Sequence, residues 1–297
     1  MAIVLALCSA LAYGLSDFVG GLLSRRTSAW SVAVLGQTSS ALCTALVALF
    51  IAGSPDAADF RWALLAGVGS GVGTGFLYRG LSSGRMGVVA PVSAVGAAVV
   101  PVLAGTVTGE RPSILVWLGI LAAMPGIWLV SSTPDAPVAN VANEAPGGPA
   151  VATGSTTRRV SVAEGLVDGV LAGLGFGVLF AALGQVPDSA GWWPLATCQV
   201  VSVPSVIALA LVMRAPWVPR GRVVRLAVLT GPLSATATGA FLLAAQFGFL
   251  TVAGVLAALY PASTVLLAAL FLHERVHRLQ GFGLGLCAIA VACVAGG

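Results

Sequence analysis

The chain has 297 residues, 58% of them hydrophobic and only 8% charged, with a formal net charge of +4. That balance excludes an ordinary soluble domain, in which about 25% of residues are charged. The positive charge comes from arginines alone, scattered one to three per loop beside apolar runs, which suits anionic lipid head groups and argues against a nucleic-acid partner.

Apolar runs near or above ~18 residues, cut by short polar islands, predict ten transmembrane helices. The first, Ala2–Leu23, carries Tyr13-Gly14-Leu15-Ser16 and then Asp17. It has no basic segment before it of the kind a cleaved signal peptide needs, so it is expected to stay. Asp17 lies about six residues before the end of the span, roughly 9 Å at 1.5 Å per residue. A carboxylate at that depth is costly unless it faces a wet cavity or a cation. The second span, Trp30–Ala52, holds Gln37; the third, Trp62–Ser82, holds Tyr78 and Arg79. Arg79 is about as deep as Asp17 and near the same membrane face, so the two are expected to pair. Such a pair could serve a substrate charge or a proton, or it could simply join two helices, and Arg79 could instead snorkel to head groups.

The fourth and fifth spans, Met86–Val107 and Ser113–Ser131, flank Gly109-Glu110-Arg111-Pro112. Residues 132–161 are rich in Pro, Gly, Ala, Ser and Thr with no hydrophobic period, and read as a flexible linker. Five further spans follow: Val162–Gln185, Trp192–Met213, Val223–Phe249, Thr251–Leu272 and Leu279–Gly296. They carry Trp193, Gln199, Gln246 and Tyr260, whose polar tips either bond between helices or line a cavity. Glycines at every fourth position, Gly67/Gly71/Gly75 and Gly165/Gly169/Gly173/Gly177, predict stripes where another backbone can come close.

His273-Glu274-Arg275-Val276-His277 spells H-E-x-x-H, which on a helix can hold zinc. A catalytic zinc needs a third protein ligand, and no Asp, Glu or His follows His277. The five cysteines all lie in apolar runs without metal-ligand spacing. No metal, no cofactor and no enzymatic chemistry are expected.

The chain repeats itself. Setting Glu110 on Glu274 also lays Arg111 on Arg275, Thr74-Gly75 on Thr238-Gly239, and Gly119 on Gly283. With a slip of a residue or two, Tyr13-Gly14 falls on Phe176-Gly177, Trp30 on Trp192 and Gln37 on Gln199. The expected fold is therefore all-α and integral to the membrane, with two five-helix repeats spanning 1–131 and 162–297. An odd number of spans per repeat makes the two enter the bilayer in opposite directions, the plan many secondary transporters use around a midplane site. Twelve of the fourteen arginines fall in alternate loops or in the span ends beside them, and only Arg61 and Arg111 lie toward the other side. By the positive-inside rule both termini face outward and the linker is cytoplasmic.

Tyr13-Gly14-Leu15-Ser16, the Gly-Glu-Arg turn at Gly109–Arg111, His273-Glu274-Arg275 and the glycine-rich spans after each turn resemble the EamA-like, ten-helix group of the drug/metabolite transporter superfamily. The resemblance covers nearly the whole chain outside the linker. It implies a carrier with a central cavity for small metabolites or drugs, often exported and sometimes proton-coupled. Many relatives place their termini in the cytoplasm, whereas the arginines here place them outside. The expected function is secondary active transport of a small molecule across the cytoplasmic membrane, as an exporter working by alternating access. Substrate-binding candidates are Tyr13, Asp17, Gln37, Tyr78, Arg79, Trp193, Gln199, Gln246 and Tyr260. The expected partners are a small-molecule substrate and the lipid bilayer, with protons and a homodimer left open. Competing readings are a non-transporting membrane sensor or scaffold and an intramembrane zinc metalloprotease.

Overall fold

In lipid every backbone N–H and C=O must find a partner within the protein, which favours continuous helices. A computed structural model describes residues 1–83, 86–131, 162–271 and 277–297, and all regular structure among them is helical. The first half forms α1 (Ala2–Ser24), α2 (Ala29–Ala48), α3 (Ala57–Ser82), α4 (Met86–Val107) and α5 (Ile114–Ser131). The second forms α6 (Val162–Leu183), α7 (Trp193–Val212), a short α8 (Arg222–Arg225), α9 (Thr230–Phe247), α10 (Leu250–Ala257), α11 (Tyr260–Phe271) and α12 (Arg278–Gly296). Among the described residues nine helical stretches are long and apolar enough to cross a membrane. The tenth helix, α3, falls short because glycine, serine and threonine fill its middle, Gly67–Gly75.

Two predicted spans are more broken than expected. Val223–Phe249 enters through α8 and a 3-10 turn at Leu226–Leu229 before α9 begins. Thr251–Leu272 is interrupted at Ala258 and Leu259, because Pro261, the second residue of α11, has no N–H to continue the ladder. By contrast Pro91, Pro101, Pro125 and Pro204 sit inside helices that remain single elements.

The first helix of each half is inserted into the other half. α6 packs chiefly against α3 and α4, and α1 against α9, α10 and α11, while α5 and α12 pair with each other. Lipid supplies no hydrophobic drive between helices, so close packing of small residues has to hold them. The glycines provide it: a Cβ on Gly175 of α6 would lie 2.5 Å from the Gly73 nitrogen of α3, backbone against backbone.

The loops gather at two ends. At one, Ser54 N–H donates to Ser189 O (2.8 Å), and the Glu110 carboxylate accepts from Leu250 N–H (2.5 Å) and Thr251 N–H (2.9 Å), capping α10. Glu110 is thus a helix-end group, as its place in an interfacial turn implies. Both chain termini lie at this end, Ala2 beside Gly248 and Gly297 beside Ser113. At the other end Ser31 Oγ donates to Val218 O (3.2 Å), joining α2 to the loop after α7. Of the ten described arginines, only Arg61 and Arg111 belong to the terminal-bearing end. The 132–161 linker, Arg85 and His273–Val276 lie outside the described residues, so the H-E-x-x-H reading does too.

Candidate functional site

The duplicated residues make duplicated contacts. In the first half Gln37 Nε2 donates to Ser70 Oγ (3.1 Å) and Thr74 Oγ1 (2.8 Å). In the second, Gln199 Nε2 donates to Thr238 Oγ1 (2.9 Å), and also across the halves to Ser40 Oγ (2.8 Å). Thr238 spends its own proton on Ser234 O (2.5 Å), so its oxygen can only accept, which fixes the orientation of the Gln199 amide. Gly75 is pressed by the Trp30 indole and Gly239 by that of Trp192, again at matching positions. Among the described residues the Oε1 atoms of both glutamines are buried without a hydrogen-bond partner.

The unduplicated residues gather around Asp17. On α1, Tyr13, Asp17 and Gly20 follow helical spacing and lie on one side. Gly20 leaves room for the Tyr78 ring of α3, which occupies the place a Cβ would take. Gly14, on the flank of this stripe, meets the Tyr260 carbonyl and Ser263 of α11. A small cavity of about 20 Å³ is lined by Tyr13, Asp17, Gln37, Tyr78, Phe176 and Thr230, among others. That is room for about one water molecule. A second cavity of about 60 Å³ shares Asp17 and is otherwise mainly apolar, with Leu77, Leu81, Ala90, Tyr260 and Val265 in its wall.

All three tyrosines of the chain therefore surround one carboxylate, two on one side and Tyr260 on the other. Tyr260 shares a hydrogen bond with Ser93 Oγ (3.0 Å) of α4, and the Tyr13 ring meets Phe180 edge-on with centroids 5.6 Å apart. Among the described residues Asp17 has neither an ion pair nor a hydrogen bond.

The expected Asp17–Arg79 pair is not formed. Arg79 turns instead to Asp168 of α6: its Nε donates to Asp168 Oδ1 at 2.8 Å, and Nη2 reaches the same oxygen. Its guanidinium also lies over the Phe76 ring, 4.7 Å from the centroid, and touches Met213 Sδ. Equal depth made Asp17 a reasonable partner, but Arg79 leaves α3 toward α6, while the adjacent Tyr78 is the residue that faces Gly20 of α1.

Of the nine candidates, then, Tyr13, Asp17, Gln37 and Tyr78 line one cavity and Tyr260 stands across Asp17 from it. Gln199 is fully buried and lines neither cavity that touches Asp17. Arg79 is engaged elsewhere, Trp193 is 40% exposed at the start of α7, and Gln246 Nε2 donates to Val186 O (3.3 Å), away from Asp17. Sequence reasoning missed Phe176, Thr230 and Thr74 in the cavity wall, and Asp168. The Thr74/Thr238 and Tyr13/Phe176 matches were usable signals for two of these; nothing local marks Thr230 or Asp168.

A third cavity, about 370 Å³, lies toward the terminal-bearing end between α1, α2, α7 and α9, with Leu5, Thr44, Trp192 and Leu243 in its wall. Along α2, Ser40 stands one turn between Gln37 of the small cavity and Thr44 of this larger one. The Gln199–Ser40–Thr238 hydrogen bonds thus lie between them.

These features define an all-helical, multi-pass membrane protein. Residues 1–132 match the model of the EamA-like transporter family, a match that ends one residue past α5. The first five-helix unit is thus EamA-like, and the resemblance to the drug/metabolite transporter superfamily is shown there. The matched family is one of membrane transporters. The whole chain is also similar in fold to a protein of known crystal structure, with 16% identity and a TM-score of 0.66 over 98% of this chain and 95% of that one. No curated protein matches the sequence.

Proposed function

We propose that the protein is a secondary carrier of small metabolites or drugs, working by alternating access around Asp17. One observation carries this reading: a carboxylate without a fixed partner sits in a cavity where the two halves interlock. Intramembrane carboxylates mark solute or proton pathways by default. The two inverted five-helix repeats, 1–131 and 162–297, supply the pair of related states that alternating access requires.

The cavities touching Asp17 are far below the roughly 300–1,000 Å³ of sites that hold a small organic ligand. The arrangement corresponds to a contracted state, with the 370 Å³ cavity as vestibule and Gln199, Ser40 and Thr238 as its floor. The arginine-poor end faces outward by the positive-inside rule. We assign export across the cytoplasmic membrane, with that vestibule as the outer exit and Asp17 as the group through which protons would couple.

Counterflow in proteoliposomes tests this with a mixed panel of labelled amino acids, sugars, nucleosides and lipophilic cations. Accumulation of one class by the wild type, lost in Asp17→Asn, is the expected result. Folded protein that exchanges nothing from any class would count against the carrier.

A further inference from the structure

The character of the Asp17 site narrows what it can hold, given the carrier reading above. Every polar group contributed to the two cavities by a described side chain is an acidic, amide, hydroxyl or phenol group, and no arginine or histidine lines either. Arg79, inside the third span, is committed to Asp168, Phe76 and Met213. The amide of Gln37 directs its donors to Ser70 and Thr74, so the group it has left over is an acceptor. An anionic solute would meet Asp17 with no compensating charge, and a neutral one would leave the carboxylate unanswered.

We propose that the solute is an organic monocation with a compact amine or ammonium head and an apolar body. The head sits between Asp17 and the Gln37 carbonyl oxygen, flanked by the rings of Tyr13 and Tyr78. Aromatic faces attract such cations, more strongly when water is excluded. The apolar body extends past Asp17 into the second cavity, against Leu77, Leu81, Ala90 and Val265. The two cavities meet only at Asp17. One polar end and one apolar end, joined at the carboxylate, is the shape they offer together once the site widens.

A series with one apolar body and four head groups tests this: 2-phenylethylamine, 2-phenylethanol, 3-phenylpropionate and phenylalanine. Binding to the full-length protein in detergent at pH 7 is measured by equilibrium dialysis, and exchange by counterflow in proteoliposomes. The amine should bind at least about tenfold more tightly than the alcohol or the carboxylate, a difference of about 1.4 kcal/mol. Asp17→Asn should erase that preference and Asp17→Glu should keep it. Tighter binding of the carboxylate or of phenylalanine overturns the inference, as does absence of binding by all four to folded wild-type protein or an unchanged preference in Asp17→Asn. Exchange of phenylalanine or the carboxylate but not the amine leaves the carrier standing and removes the cation. Amine binding without exchange of any solute does the reverse.

Discussion

The two halves of the molecule agree at Gln37 and Gln199 and disagree at Asp17 and Phe180. At the first pair each amide donates to a threonine at the matching place, Thr74 or Thr238. At the second pair, the first half offers a carboxylate to a cavity. The second half puts Phe180 there, fully buried between Tyr13 and Phe241. Position 79 differs likewise: Arg79 aligns with Leu243. Contacts kept in both copies are what the fold needs, because each copy must close its own helix pairs. Chemistry present in one copy answers to something both copies do not share, and a single solute at their junction is such a thing.

The largest effect should come from the duplicated scaffold. Gly175→Leu drives a side chain into the backbone of α3, where a Cβ would already lie 2.7 Å from Gly69 O. No rotamer relieves a backbone collision, so size-exclusion of detergent extracts should show the monodisperse peak lost. Gly75→Ala and Gly239→Ala press on indoles instead, at 2.9 Å and 2.7 Å. Each should cost about 1–3 kcal/mol, typical of overpacking, and by similar amounts if the halves are equivalent. Unequal losses of thermal stability in the two would break the symmetry argument.

Next come two carboxylates inside the spans, Asp17 and Asp168, which the comparison sets apart. Asp168 is fully buried, whereas the Arg79 side chain is 30% exposed. Arg79→Gln withdraws a partner from a buried charge and should cost about 3 kcal/mol. Asp168→Asn leaves an arginine already near the surface, free to reach head groups, and should cost nearer ~1 kcal/mol. Asp17→Asn should cost no stability, since it removes a charge without a partner, while transport collapses. Equal thermal destabilisation by Asp17→Asn and Arg79→Gln would show that Asp17 is structural after all.

How much of this was legible follows from the range of each interaction. The helices are written in apolar runs of the right length, and the α9–α10 boundary fell where the runs nearly fuse, between Phe247 and Leu250. The break at Ala258–Leu259 was marked only by Pro261, which looks no different from Pro91 or Pro204 inside unbroken helices. Asp17, Tyr13, Tyr78 and Gln37 were readable because a polar group in a hydrophobic run stands out on its own. The Arg79–Asp168 pair was not, because 89 residues separate its members and depth in the membrane says nothing about which helices are neighbours. The convergence of all three tyrosines on Asp17 also depends on the insertion of α1 between α3 and α11.

The smallest expected effect is also the sharpest test of the comparison. Gln37→Leu and Gln199→Leu each remove two hydrogen bonds, and such bonds between membrane helices average about 0.6 kcal/mol. Each variant should therefore lose about 1 kcal/mol of thermal stability, and the two should match. Their effects on solute should not match. Gln37 lines the Asp17 cavity, so its loss should weaken amine binding several-fold by equilibrium dialysis. Gln199 lies between the cavity and the vestibule, so its loss should leave affinity unchanged and alter only the rate of exchange. If Gln199→Leu weakens binding as much as Gln37→Leu does, the amides act as one site across the halves, and the division between shared scaffold and single-copy chemistry fails at the residue where it was most clearly drawn.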